Sequence, residues 1–193
     1  IVLSTDGNPL VTDYASGTLV RLNRNDKQQQ EIIAADLAGP VGLTWANADQ
    51  DVVYVAEANT GRITRITINL QQAPTPIISG LAQPEGITLM NDGRIAVVEV
   101  GRQRLLAVDP ANGTVEVLAT GLPVGHAAAN APGPVHLPSG VAQGAVFHDH
   151  VIAYDAVIFC AQAFNRAARL DIHVVGSEFD GDALKRLKRM AQQ

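Results

Sequence analysis

The chain has 193 residues, a formal net charge of -5, 17% charged residues and only 4% aromatic residues. This length fits one domain, or one domain with an appendage. The acidic balance and the scarcity of aromatics argue against general nucleic-acid binding, which needs a basic surface and stacking faces. The sequence has no run of about 18 apolar residues that could span a membrane.

A short phrase occurs three times along the chain and indicates an internal repeat. It reads LAGPVGL at Leu37–Leu43, LAQPEGI at Leu81–Ile87, and a weaker LPSGV at Leu137–Val141. The glycine of this phrase recurs after 44 residues and then after 54. Repeats of roughly 40–50 residues are typical of propellers, solenoids and arrays. We therefore expect four units, at about 1–42, 43–86, 87–140 and 141–155 onward.

The first unit shows short apolar runs separated by turn residues. Its predicted strands are Pro9–Asp13, Thr18–Leu22 and Glu31–Ile33. The opening residues Ile1–Gly7 overlay Ile87–Gly93 without a gap, so the chain begins where its own Pro-x-Gly phrase is expected. Either a longer parent carries the missing piece, or the two ends of the chain close a ring.

The second and third units follow one plan of four short strands joined by tight turns. In the second, the predicted strands are Gly42–Trp45, Val52–Glu57, Arg62–Ile68 and Pro76–Ile78. In the third, they are Gly86–Met90, Arg94–Glu99, Arg104–Val108 and Thr114–Leu118. Four antiparallel strands joined by turns make up a propeller blade. The predicted fold is therefore all-β and propeller-like, with about four visible four-stranded repeats.

The fourth unit departs from the plan. We expect a strand pair within Val141–Asp155, and either strand or helix for residues 156–170. A long loop rich in Gly and Pro, residues 121–144, is predicted to precede it, and loops of that length are often functional or mobile. A short helix is predicted at 181–191, after a capping Asp180 or Asp182. We therefore divide the chain into propeller repeats, 1–155, and a degenerate last blade or C-terminal appendage, 156–193.

Two features bear on where the protein works. The single cysteine, Cys160, lies among apolar neighbours, which predicts a buried, inert thiol and leaves the redox compartment open. The chain starts at Ile1, as it would after cleavage of a signal peptide, trimming or truncation of the gene. The location stays open, with an extracytoplasmic or secreted one favoured.

The third unit resembles a known repeat. Gln83–Ile87, the turn Asn91–Gly93, and a strand ending in Glu99 followed by Arg102 are similar to the NHL-repeat signature. They also resemble the repeats of gluconolactonase-like (senescence-marker-protein-like) propellers. The resemblance covers about residues 1–155 and implies a β-propeller, usually of six blades, around a central channel. With four units visible, a four-bladed ring, an open fragment and a partner-completed ring all fit.

The resemblance implies two classes of function. NHL propellers mostly bind proteins, peptides or RNA, whereas gluconolactonase-like members are metal-dependent hydrolases that hold a divalent ion through Glu, Asn and Asp. Their glutamate usually precedes a glycine, as Glu85 precedes Gly86, but Val41 and Ser139 occupy the equivalent repeat positions. The leading hypothesis is a non-enzymatic, NHL-type binding or scaffold module that holds a protein or a small ligand on one propeller face, with assembly into a homo-oligomer left open. The alternatives are a metal-dependent, lactonase-type hydrolase and an inactive fragment whose open β edges would make it associate.

Acidic residues recur near the end of the second strand of each unit, at Asp13, Glu57, Glu99 and Asp155. Such a ring could hold a cation through oxygen ligands in the channel. The alternative is structural, with each carboxylate accepting hydrogen bonds from backbone N–H groups of an adjacent turn.

Histidines cluster in one part of the sequence. His148 and His150 would share a strand face and could bind one metal ion, with His126 or His136 as a third ligand. The alternative is an exposed polar turn. The candidate metal residues are thus Glu85, Glu57, Glu99, His148 and His150, for Ca²⁺ or Zn²⁺, and no other cofactor is implied.

Three arginines follow the turns of their repeats, Arg62, Arg102 and Arg104. They could pair with an anionic ligand. The alternative is a salt bridge to the carboxylate of a neighbouring blade.

Overall fold

The computed structural model describes residues 1–26, 28–68, 70, 72–122, 124, 139–146, 154–161 and 171–175. These residues form fifteen strands and one short 3₁₀ turn, Val100–Arg102. The all-β prediction is confirmed. Within the described part, no helix is long and apolar enough to cross a membrane.

The strands form four antiparallel sheets, each with its strands in sequence order. Sheet 1 contains β1 (Val2–Leu3), β2 (Pro9–Asp13), β3 (Thr18–Leu22) and β4 (Gln30–Ala34). Sheet 2 contains β5 (Pro40–Trp45), β6 (Val52–Glu57), β7 (Arg62–Thr67) and β8 (Thr75–Ile78). Sheet 3 contains β9 (Pro84–Leu89), β10 (Ile95–Glu99), β11 (Arg104–Val108) and β12 (Val115–Thr120). In sheet 4 the described strands are β13 (Ser139–Val146), β14 (Tyr154–Ala161) and β15 (Asp171–Val175).

The later part of the chain departs from expectation at two points. The predicted loop 121–144 already contains the first six residues of β13, whose glycines concealed a strand. The stretch 156–170, which was open between strand and helix, is strand as far as Ala161. The predicted helix 181–191 lies outside the described residues, and the division at residue 155 stays a prediction.

Three apolar layers lie between successive sheets. Leu10 and Leu19 of sheet 1 pack with Val53 and Val55 of sheet 2. In the same way, sheet 2 packs on sheet 3, and sheet 3 packs on Val141 of β13. Every residue of β6 and β10 is buried because sheets 2 and 3 are covered on both faces. This two-sided burial explains their continuous apolar runs, where a one-sided strand would alternate.

The inner strands of neighbouring sheets approach closely where the repeated phrase lies. A Cβ on Gly42 of β5 would overlap the carbonyl oxygen of Glu85 and lie 3.1 Å from the backbone nitrogen of Ile87. The Thr12 hydroxyl donates to the Val41 carbonyl oxygen (2.6 Å), which ties sheet 1 to sheet 2. The glycine of the Pro-x-Gly phrase is therefore needed for close approach of two backbones, in the manner of blades around an axis.

We expect Gly42→Ala to lower the free energy of unfolding by at least about 2 kcal/mol, because the added methyl forces two packed backbones apart. The control is Gly93→Ala. Gly93 has φ of 85° and open space around its Cβ direction, so only backbone strain of about 1–2 kcal/mol is added. Urea unfolding monitored by circular dichroism measures both, and a smaller loss for Gly42→Ala than for Gly93→Ala would contradict the close-approach account.

Candidate functional site

A cavity of about 660 Å³ opens at the end of the sheets where β5 and β9 begin and β2 and β6 end. Sheets 1, 2 and 3 all contribute to its wall, so it exists only once the sheets have stacked. Its lining residues are Thr12, Tyr14, Pro40, Val41, Ala58, Asn59, Gln83 and Glu85.

Hydrogen bonds fix the polar side chains of this cavity. The Tyr14 hydroxyl donates to Asn59 Oδ1 at 2.9 Å, across the junction of sheets 1 and 2. Gln83 Nε2 donates to Glu85 Oε1 at 3.1 Å. Together with the Thr12–Val41 bond, these contacts hold the lining in one arrangement before any ligand arrives, which lowers the entropy lost on binding.

Of the predicted site residues that the structure describes, Glu57, Glu85 and Glu99, only Glu85 lines the cavity. Its side chain is buried, with 6% relative exposure. The sequence-based search missed Tyr14, Asn59 and Gln83, because they come from separate turns that meet only in the folded chain. A usable signal for Gln83 was present, since a glutamine replaces the glycine of the preceding repeat.

Gln83 has a left-handed backbone conformation, with φ of 54°. Its counterpart in the preceding phrase, Gly39, has φ of 63°. A Cβ on Gly39 would lie 2.5 Å from Asn59 Nδ2 and 2.9 Å from Tyr14 Cε2, so glycine there leaves room for those side chains. For a non-glycine residue this conformation is unfavourable by about 1–2 kcal/mol. Such local strain tends to occur at functional positions, and here it places an amide group in the cavity.

Glu57 is fully buried and makes several hydrogen bonds. Its carboxylate accepts from Arg62 Nε (2.7 Å) and Nη2 (2.8 Å), from the Ala38 backbone N–H (2.6 Å) and from the Thr64 hydroxyl. Burial by itself would raise the pKa of Glu57, but the hydrogen bonds from Arg62, Ala38 and Thr64 outweigh it and the pKa is lowered.

Glu99 repeats this arrangement in sheet 3. Its buried carboxylate accepts from the Ala82 backbone N–H at 2.7 Å, from Arg102 Nη1 at 2.5 Å and from Arg104 Nε. Burial opposes ionisation, but the hydrogen bonds led by Arg104 lower the pKa of Glu99. Arg62 and Arg104 lie in the same sheet as their carboxylates and Arg102 lies in the adjoining turn, so the alternative of a salt bridge to a neighbouring blade is wrong for these pairs.

Asp13 occupies the equivalent position in sheet 1 and is exposed. It accepts hydrogen bonds from the backbone N–H groups of Ala15 (3.0 Å) and Ser16 (3.3 Å). The hydrogen bonds from Ser16, first that of its side chain, lower the pKa of Asp13. Thr18 occupies the position that Arg62 and Arg104 hold in the next two sheets, so no arginine follows Asp13 at that position.

Glu57, Glu99 and Asp13 are thus held by hydrogen bonds to nearby backbone and side chains. The cavity lining includes Glu85 but neither Glu57 nor Glu99. In the described part of the chain, no three His, Cys, Asp or Glu side chains gather closely enough to hold a metal ion. The side chain of Asp155 and the histidines His126, His136, His148 and His150 lie outside the described residues. Their metal-binding roles stay predictions.

No protein-family model matches this chain, and no curated protein matches it in sequence. Solved structures do resemble it. A chain of a nidogen/laminin complex aligns with a TM-score of 0.59 and 20% identity over 83% of this chain and 55% of that one. Virginiamycin B lyase from Staphylococcus aureus, solved with quinupristin, aligns with a TM-score of 0.58 and 16% identity, over 91% of this chain and 54% of the lyase chain.

A luciferin-regenerating enzyme is a further structural neighbour, with a TM-score of 0.54 and 16% identity over 83% of this chain and 51% of that one. The chain spans about half the length of these three proteins. At this level of identity the likeness shows the fold, which is propeller-like.

Acid should weaken the fold through Glu57 and Glu99. Because their pKa values in the folded state are lowered, their stabilisation is present above the ordinary glutamate value of about 4.3 and is lost as pH falls through the folded-state pKa. Glu57→Gln should reduce the free energy of unfolding by about 2 kcal/mol at pH 7, since it removes charged hydrogen bonds. It should also make the melting temperature less sensitive to acid.

Asp13→Asn is the matched control, because its exposed side chain can still accept the turn hydrogen bonds. We expect Asp13→Asn to change the free energy of unfolding by no more than about 0.5 kcal/mol. Thermal melts of the three proteins between about pH 3 and pH 7 test this, around the ordinary carboxyl pKa values. Equal losses in the two variants would show that burial and the arginine are not what matter at Glu57.

Proposed function

We propose that this chain is a non-enzymatic propeller binding module that holds a protein or a small ligand in the cavity lined by Tyr14, Asn59, Gln83 and Glu85. The observation that carries this proposal is the cavity itself, in which hydrogen bonds fix the polar side chains in place. Its volume falls within the range of about 300–1,000 Å³ that is usual for ligand sites.

The lining indicates the chemistry of the ligand. Glu85 supplies a carboxylate, Asn59 and Gln83 supply amides, and Pro40 and Val41 supply apolar surface. These groups suit a ligand that both donates and accepts hydrogen bonds beside an apolar portion, either a small polar molecule or a side chain projecting from a protein. A propeller-like neighbour is known from a nidogen/laminin complex, so a protein partner is compatible with this fold.

Binding is favoured over catalysis by the composition of the wall. Nucleophilic catalysis needs a nucleophile within hydrogen-bonding reach of a base. Among the described residues that line the cavity, none is Ser, Cys or His, and the Thr12 hydroxyl donates to the Val41 carbonyl oxygen.

One observation supports a metal-dependent, lactonase-type hydrolase as the second candidate. Glu85 precedes Gly86 and is buried at the cavity, as the resemblance implies for a metal-binding glutamate. A calcium ion takes about six to eight oxygen ligands. The described lining offers one carboxylate and two amides, which is not a full set, so this function stays in second place.

Gln83→Gly separates binding from stability. We expect it to weaken ligand binding at least about five-fold, or roughly 1 kcal/mol, because an amide is lost from the cavity. Its free energy of unfolding should stay the same or rise by up to about 1 kcal/mol. Glycine relieves the left-handed strain, which stabilises the folded state, but it also raises the entropy of the unfolded chain, which partly cancels this gain.

Gln103→Gly is the control for Gln83→Gly. Gln103 also has a left-handed backbone, with φ of 51°, but it lies outside the cavity lining. It should leave binding unchanged. The probes are a panel of sugars, amino alcohols and amino-acid amides, measured by saturation-transfer NMR and then by titration. Equal effects of the two variants, or no binding of any probe or of a displayed peptide library, would contradict the cavity proposal.

The hydrolase is tested separately, with γ-butyrolactone and a chromogenic ester in the presence of Ca²⁺ or Zn²⁺. The binding module predicts no turnover above the buffer rate. Turnover that needs the ion and is lost in Glu85→Gln would overturn the non-enzymatic proposal and establish the hydrolase.

A further inference from the structure

The wall of the cavity carries charge of one sign. Among the described residues that line it, Glu85 is the one formally charged side chain, and none is lysine, arginine or histidine. The other polar groups of this lining are neutral, namely the hydroxyls of Thr12 and Tyr14 and the amides of Asn59 and Gln83. The described wall therefore presents a net negative charge to a ligand.

The arginines that follow the turns of sheets 2 and 3 are directed at other carboxylates. Arg62 contacts Glu57 at 2.7 Å. Arg102 and Arg104 both contact Glu99. None of these five side chains belongs to the cavity lining, so their guanidinium groups do not supply the wall with a positive charge.

The position of Glu85 strengthens its effect on a ligand. Only 6% of its surface is exposed, at the wall of a cavity of about 660 Å³. Water and salt screen a charge in such a place less than they screen one on the open surface. The hydrogen bond from Gln83 Nε2, at 3.1 Å, holds Oε1 of Glu85 in place. A cation that enters the cavity therefore meets a carboxylate that is already oriented.

The hydrogen-bonding groups of the wall narrow the type of cation. Because Gln83 uses its Nε2 to donate to Glu85, its own side-chain oxygen is the group that can accept from a ligand. Asn59 Oδ1 accepts from the Tyr14 hydroxyl and has a second lone pair. A primary ammonium group has three N–H donors and no acceptor, so it can use the carboxylate and the two amide oxygens together.

An apolar surface lies beside the carboxylate on the same wall. It is formed by Pro40, Val41 and Ala58. A Cβ on Gly42, the residue after Val41, would overlap the carbonyl oxygen of Glu85, so these two stretches of backbone are in close contact. A ligand with a cationic end and an apolar body therefore matches both parts of the wall.

We propose that the ligand of this cavity is a primary ammonium compound with an apolar body, whose charged end pairs with Glu85. This inference rests on the proposed function and adds to it the charge of the ligand. Two sources share this chemistry, a small amine and the lysine side chain of a protein partner. The net charge of -5 on the chain favours the approach of a cation from either source.

The test compares three small probes of similar shape and different charge, which are benzylamine, benzyl alcohol and benzoate. EDTA is present, so that no divalent ion competes for the carboxylate. Titrations are followed by the NMR signals of the side-chain amides of Asn59 and Gln83. We expect benzylamine to bind at least about ten-fold more tightly than benzyl alcohol, and benzoate to bind most weakly. Equal affinity for the amine and the alcohol, or tightest binding of benzoate, overturns the inference.

Glu85→Gln should reduce the preference for the amine over the alcohol to less than about two-fold, because the amide keeps the shape of the side chain and removes its charge. The control is Glu116→Gln on β12, which changes the net charge equally at an exposed residue outside the cavity lining. It should leave the preference unchanged. Equal loss in both variants would overturn the assignment to Glu85. Circular dichroism checks folding, and if Glu85→Gln is unfolded, the order of the three probes on the unaltered protein decides.

Nα-acetyl-lysine amide and Nα-acetyl-norleucine amide distinguish the two sources, because norleucine has the same chain without the ammonium group. A preference of at least about ten-fold for the lysine compound supports the proposal with a protein partner. A preference for benzylamine alone supports it with a small amine. Binding of neutral probes as tightly as amines overturns this inference and leaves the proposed function standing, whereas no binding of any probe contradicts both.

Discussion

The apolar faces of each inner sheet must be covered on both sides, and the rest of the structure depends on this constraint. Val53 and Val55 on one face of β6, and Tyr54 and Ala56 on the other, are nearly solvent-free because sheets 1 and 3 lie against them. Burial of apolar surface is worth about 25 cal/mol per Å², so separating one pair of sheets exposes a whole layer at once. The Pro-x-Gly phrase serves the same end, because Gly42 lets adjoining backbones come close enough for the layers to pack.

The buried ion pairs connect this packing to the cavity. Glu57 accepts the Ala38 N–H, and Ala38 leads through Gly39 to Pro40 on the cavity wall. Glu99 accepts the Ala82 N–H, which precedes Gln83. Each carboxylate therefore fixes the backbone just before an inner strand begins. It thereby also fixes the position of the neighbouring residues that line the cavity. Glu57 and Glu99 thus do not line the cavity, but they help to position the residues that do. Each is itself held in place by an arginine.

Much of the fold in residues 1–120 could be predicted from sequence, because short apolar runs between Gly, Asn and Asp turns report local structure. Glu85 could be found as well, through its place in the repeated phrase. Tyr14 and Asn59 could not, because each is an ordinary turn residue until the sheets bring them within 2.9 Å. Arg62 and Arg104 pair with Glu57 and Glu99 of their own hairpins and not with a neighbouring blade, because each lies directly opposite its carboxylate across the turn. The glycine-rich start of β13 looked like loop because composition there outweighed periodicity.

Among the described residues, sheet 1 is covered by a neighbouring sheet on one face only, which bears on how this part of the molecule moves. In an array of stacked units, stability is the sum of each unit and its contacts with nearest neighbours, and local opening is easiest where contacts are fewest. In the part of the chain that the structure describes, sheet 1 packs on one neighbouring sheet, whereas sheets 2 and 3 each pack on two. We therefore expect sheet 1 to open more easily than sheets 2 and 3. Since Thr12 and Tyr14 line the cavity from this side, we expect the cavity to widen first at its sheet 1 wall.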